Sequence, residues 1–111
     1  MENLNENLIF GFEKLEIWQL SMDLSVDIYH LSRVFPIEEK YDLTSQINRS
    51  SGSEPSNIAE GTSRFSKNDK ARFLQYSYTS NLETMNHLIR AYRIGYISKE
   101  VCDGYRPKIK E

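Results

Sequence analysis

Cysteine occurs once in these 111 residues, at Cys102, so no disulfide can form within the chain. A reducing compartment agrees with that. Proline, at three positions, and glycine, at five, leave few places where a helix must stop. No apolar run approaches the roughly 20 residues that span a bilayer. The opening MENLNENLIF is acidic and lacks the basic start of a secretory signal. We therefore expect a cytoplasmic protein without membrane contact. The chain also has no glycine-rich phosphate loop, no serine elbow and no Cys/His/acid signature of an activated nucleophile. Of two histidines, His87 shares a helix face with Glu83 at i and i+4. A metal site in a helical bundle recruits Glu-x-x-His pairs from several helices, and none occurs. The expectation is a protein that is not an enzyme, with no catalytic residue, metal or cofactor.

Helical periodicity is what the chain has in abundance. At about 100° per residue, the first helix, expected from near Glu13 to Val34, carries two apolar stripes on roughly opposite sides. Leu15, Trp18, Met22, Val26 and Tyr29 form one, and Ile17, Leu20, Leu24, Ile28 and Leu31 form the other. Ser21, Ser25 and Ser32 fill a seam between them. One stripe suffices to dock on a core; the second asks for a further partner, such as another subunit. Trp18, Leu20, Leu24, Ile28, Phe73 and Tyr76 are accordingly the candidate core or subunit-interface residues.

Breakers divide the rest. Phe35-Pro36 ends the first helix, and Pro36, followed by Glu38 and Glu39, suits the start of the second. Gly52 and Pro55 are expected to bend or interrupt that helix. Pro55, Asn57, Glu60 and Gly61 then form the expected bend and cap, with Gly61 in a left-handed conformation. Ser66-Lys67-Asn68-Asp69 reads as a capping box for a third helix reaching Ile94, with Gly95 as its cap. The main core stripe of that helix is expected to be Ala71, Leu74, Tyr78, Leu82, Met85, Leu88, Ile89 and Tyr92. Ser98 caps a short fourth helix, limited by Gly104 and Pro107. The organisation is thus a flexible arm, residues 1–11, and one helical-bundle domain, residues 12–111.

Charge is divided along the chain. Up to Ser63, four basic residues face eleven acidic ones; from Arg64 onward, ten basic residues face five acidic ones. The clusters Arg64, Lys67, Lys70 and Arg72, with Arg90 and Arg93 as a second patch, are the candidate contacts for RNA or DNA.

The segments FEKLEIWQLSMDL (Phe12 to Leu24), VFPIEEKYDLTSQINRS (Val34 to Ser50), PSNIAEG (Pro55 to Gly61) and FLQYSYTSNLET (Phe73 to Thr84), followed by IGYI (Ile94 to Ile97), resemble a family of four-helix bundles. That family is also known as the 23S rRNA-intervening sequence protein family. The resemblance implies an all-α, up-down-up-down antiparallel four-helix bundle, here with a short or truncated fourth helix, that associates into a homopentamer around a central channel. Relatives are encoded within insertions in bacterial large-subunit ribosomal RNA genes and elsewhere. A related bundle is the accessory subunit of diversity-generating retroelement reverse transcriptases and engages nucleic acid through a basic pentamer surface. Two readings follow: a non-catalytic homopentameric scaffold that binds RNA or DNA, or a protein-interaction hub with a protein client. The sequence departs from the family pattern at Glu54, where relatives carry a core isoleucine, and at Asn81 and Thr84, where leucine is usual. A carboxylate at position 54 must rotate outward or find a basic mate such as Arg49 or Arg64.

Overall fold

The computed structural model describes residues 8–110. Five helices account for most of them: α1 (Glu16–Leu31), α2 (Leu43–Thr62), α3 (Lys67–Ile94), α4 (Lys99–Gly104) and α5 (Arg106–Lys110). The last two are one broken helix, so the architecture is an all-α, antiparallel four-helix bundle with a short fourth member. Of the expected arm, residues 1–7 lie outside the described part. Phe10 donates its backbone N–H to Glu13 Oε2 at 2.8 Å, opening a 3₁₀ turn over Gly11–Lys14.

Local chemistry explains most boundaries. α1 is shorter than its periodicity predicts because the flanking turns, Gly11–Lys14 and Ser32–Val34, tighten to 3₁₀ geometry. Ser66 Oγ accepts from Asp69 N–H at 3.0 Å and caps α3, but Asp69 turns to Arg72, so only half of a capping box forms. Gly95 ends α3 at φ 104°, and the next N–H, of Tyr96, returns to the Ala91 carbonyl at 2.9 Å. Ser98 Oγ caps α4 through Val101 N–H at 3.1 Å.

Three expectations about α2 need correction. It starts at Leu43 and not at Pro36, because Ile37–Glu39 forms a separate 3₁₀ turn and Asp42 leaves helical space at φ −124°, ψ −105°. Glu39 takes over the capping work: its Oε1 accepts from Leu43 N–H at 3.2 Å. Second, α2 runs without interruption through Gly52 and Pro55. Pro55 removes the N–H that the Ser51 carbonyl would accept, yet its ring is buried. Beside it, Ser56 and Asn57 donate from their side chains to the carbonyls of Gly52 and Ser53, at 3.1 and 2.9 Å. Third, Gly61 is not left-handed, since Gly95 alone has positive φ among the described residues. Its lack of a side chain serves packing: a Cβ there would stand 3.2 Å from Cβ of Phe73.

α2 is the central helix, packed on α1 along one side and on α3 along the other. α4 and α5 lie against α3 and reach α1 through Tyr105 and Lys108. The contiguous core sits toward the base, where α1 ends and α2 begins. Leu24, Ile28, Phe35, Leu43, Ile47, Leu88, Ala91, Ile97, Cys102, Tyr105 and Ile109 build it. Toward the top, α2 and α3 meet through small polar side chains. Ser50 and Thr84 share a hydrogen bond of 2.8 Å, Ser80 donates to Ser53 at 3.1 Å, and Ser77 donates to the Glu54 carbonyl at 3.2 Å.

That arrangement overturns the expected core stripe of α3. The inward face is Ser77, Ser80, Asn81, Thr84, His87, Leu88 and Ala91. Ala71, Leu74, Tyr78, Leu82 and Tyr92 are exposed, and Met85 and Ile89 are half-buried. On α1, likewise, the inward side holds Ser21, Leu24 and Ile28, flanked by Ser32, so the serine seam faces α2. Ser32 Oγ accepts from Asn48 Nδ2 at 2.9 Å. Both stripes of α1 are split by this rotation, leaving Leu15, Ile17, Leu20, Val26 and Tyr29 outside.

Candidate functional site

The basic residues fall into two separate groups. α3 has 28 residues, about 42 Å at 1.5 Å per residue. Arg64, Lys67, Lys70 and Arg72 gather at its top, and Arg90 and Arg93 lie roughly 27 and 32 Å further along from Arg72. In the upper group the two arginines are engaged. Arg64 stands 3.7 Å from Glu60 Oε2, with its guanidinium 4.4 Å from the Phe73 ring centre. Arg72 binds Asp69. Lys67 and Lys70 are exposed beside the N-terminus of α3 and form no ion pair among the described residues. The partial positive charge of the helix end adds to theirs.

The candidate interface residues do not share a surface. Leu24 and Ile28 belong to the core. Trp18 is half-buried with its ring edge-to-face on Phe12, centroids 5.1 Å apart. Phe73 packs near Gly61 beneath Arg64, while Leu20 and Tyr76 are exposed. The exposed apolar side chains of α3 are instead Ala71, Leu74, Tyr78, Leu82 and Tyr92, with Met85 and Ile89 between them half-buried against the core. Together their spacings are all three or four residues, which keeps them along one side of the helix.

Of the expected bend and cap residues, Pro55 is buried within α2, Asn57 supports the nearby carbonyl of Ser53, and Glu60 pairs with Arg64. Glu54 finds neither expected mate, for no salt bridge links it to Arg49 or Arg64 among the described residues. Burial pushes its carboxyl up to about 7.

Several linking residues escape a reading of local pattern. Asp27 of α1 accepts from Tyr105 Oη at 2.9 Å and lies 4.0 Å from Lys108 Nζ. It thereby fastens the broken fourth helix to α1. Glu39 Oε2 accepts from Tyr96 Oη at 2.6 Å, which together with the Leu43 N–H holds the Glu39 carboxyl below its ordinary range. The two tyrosine partners are dozens of residues away, at separations of 57 and 78, and no local signal announces them. Cys102 is buried, and desolvation raises its thiol above the usual value.

His87 is buried, and its Nε2 is 3.6 Å from Glu83 Oε2. Among the described residues no group of three His, Cys, Asp or Glu side chains gathers as a metal site would require. No helix among them is long and apolar enough to cross a membrane.

These features define a four-helix bundle that displays its distinguishing chemistry on helix faces: an exposed apolar row and separate basic ends. The chain belongs to the 23S rRNA-intervening sequence protein family, which it matches over residues 13–111. Among solved structures it is similar to a protein of unknown function from the S23 ribosomal protein family of Bacteroides thetaiotaomicron VPI-5482. The TM-score is 0.77 at 25% identity, covering 85% of this chain and 88% of the other. No curated protein matches significantly.

Proposed function

We propose that this protein is a non-catalytic, cytoplasmic scaffold that self-associates through the exposed row of α3 and presents Lys67 and Lys70 to RNA or DNA. The row itself carries the proposal. Leu74, Tyr78 and Leu82 are each at least half exposed, and apolar side chains aligned along about two turns of helix are costly to leave in water. A homopentamer is the stoichiometry that the family resemblance implies. Lys67 and Lys70 support the nucleic-acid part, because unpaired lysines beside a helix N-terminus attract phosphate.

A protein-interaction hub is the second reading. The engagement of Arg64 by Glu60 and of Arg72 by Asp69 favours it, since both guanidinium groups are already answered within the chain. A protein client would then take the place of nucleic acid.

Native mass spectrometry at low salt, with and without a pool of structured RNA, separates these readings. The expected result is a pentamer that gains RNA mass. Tyr78→Glu with Leu82→Glu should yield monomers, and Lys67→Glu with Lys70→Glu should leave the pentamer but abolish salt-sensitive RNA retention. An oligomer that ignores RNA would favour the hub. A wild-type monomer would refute self-association.

A further inference from the structure

Where α2 turns into α3, Phe65 is 102% exposed, as open to water as in an unfolded chain. The turn that carries it is well tied. Arg64 donates its backbone N–H to the Gly61 carbonyl at 3.2 Å and lays its guanidinium on Phe73, while Ser66 caps α3. Both neighbours of Phe65 thus have structural work, and the ring between them has none. A lone exposed ring is common on protein surfaces. This one has company.

At the same end, a groove of about 450 Å³ runs between the Gly11–Lys14 turn and the end of α2. Phe10, Phe12 and Leu15 form one wall, and Ala59, Thr62 and Ser63 form the other. The Phe10 ring lies along Phe12, with centroids 5.9 Å and planes 16° apart, and remains 67% exposed. Thr62 and Ser63 donate their hydroxyl protons to the carbonyls of Ala59 and Glu60, at 2.6 and 2.7 Å. Each oxygen keeps its capacity to accept.

Ser63, Phe65 and Lys67 follow one another at two-residue intervals, at most about 7 Å each. Lys67 and Lys70 form no ion pair among the described residues, and the nearby acids Glu60 and Asp69 are answered by Arg64 and Arg72. Phe65 therefore stands between two uncommitted ammonium groups and an aromatic groove edged with acceptors. Unpaired nucleotides match that series, with a negative backbone, planar bases that stack on aromatic rings and base edges that carry N–H donors. In a duplex the bases cover one another's faces. A lipid surface would engage the lysines and rings but leave the hydroxyl acceptors without donors.

We propose that the top of the bundle binds single-stranded nucleic acid, with one base stacked on Phe65, a second in the groove beside Phe10, and phosphates at Lys67 and Lys70. This rests on the reading that those lysines meet nucleic acid, and adds that the strand they meet is unpaired.

The test is fluorescence anisotropy at low salt with a labelled RNA strand of about 12 nucleotides, its duplex, and an abasic strand of the same length. The single strand should bind at least tenfold more tightly than either control. Phe65→Ala should leave thermal stability unchanged and weaken single-strand binding about tenfold. Phe65→Trp should keep that affinity, whereas Phe65→Leu, apolar but not planar, should lose it as alanine does. Equal binding of all three probes that Lys67→Glu with Lys70→Glu abolishes would overturn this proposal and leave the broader nucleic-acid reading standing. Full affinity in Phe65→Leu would overturn it too. Binding of none of the probes would defeat both readings, and phosphatidylserine vesicles retained only while Phe65 is present would assign the surface to lipid instead.

Discussion

Toward the base, Leu43 and Ile47 of α2 and Leu88 and Ala91 of α3 are completely shut off from water, each at 0% exposure. Toward the top, the same two helices meet through Ser50, Ser53, Ser77, Ser80 and Thr84. The base gains from burial, at about 25 cal/mol per Å² of apolar surface. The top gains from hydrogen bonds worth about 1 kcal/mol each and from helices that come close because their contact residues are small. The fourth helix sharpens the contrast. α4 and α5 close the base, and Ile109 already lies level with Asn81. Stability and opportunity are therefore placed at opposite ends: a sealed foundation below, and a groove with exposed surface above.

Substitutions that read the two ends separately can break this comparison. Leu88→Ala, at the base, should cost about 2–5 kcal/mol through lost burial and a cavity, measured by chemical denaturation. A cost below 1 kcal/mol would mean that the base is not the foundation. Gly61→Val, at the top, should cost about 1–3 kcal/mol by driving α2 from Phe73, and its transition midpoint should fall accordingly. For the hydroxyl contacts, Ser50→Ala should cost about 1 kcal/mol by taking away the donor to Thr84 Oγ1, whereas Ser50→Ala with Thr84→Val should recover most of that loss. Additive losses in this double-mutant cycle would show that the hydroxyls act independently.

The smallest effect should be a gain. Glu54 has its carboxyl raised from 4.5 to about 7 in the folded protein, so the fold favours its neutral form. Its contribution to stability is complete below pH 4.5 and is lost as pH rises through about 7. Glu54→Gln should leave stability unchanged at pH 4 and raise it by about 1 kcal/mol above pH 7, a figure reduced for the partial exposure of the side chain. A gain of the same size at both pH values would refute burial as the cause.

The caps of α3 and α4 were legible, unlike those of α2, because each is a local bargain between neighbours: Ser66 with Asp69, Ser98 with Val101, Gly95 with Ala91. The four-helix class was legible too, from periodicity and from the resemblance of the quoted segments. Which face turned inward was not. Hydrophobic periodicity favours the α3 row from Ala71 to Tyr92, but hydroxyl side chains hide their polarity by bonding to their own helix. Thr84 donates to the Ser80 carbonyl at 3.0 Å and accepts from Ser50 Oγ at 2.8 Å. So satisfied, they can be buried as small spacers. Pro55 misled for a related reason, because its cost is borne inside a helix that tertiary packing already holds on both sides. At the candidate surfaces, the basic clusters were visible as sequence. Their division into two patches was visible too, whereas the capture of Arg64 by Glu60 and of Arg72 by Asp69 needed the structure.

The buried thiol of Cys102 gives the broken fourth helix a clock of its own. Its side chain is sealed in the core by a segment that Asp27 and Asn81 hold through a few polar contacts. A thiol reagent can reach that sulfur only when α4 and α5 lift away, so under saturating reagent the labelling rate equals the rate of that opening. With one cysteine in the chain, every labelled molecule records one such event, and the native sequence times its own latch without an added probe.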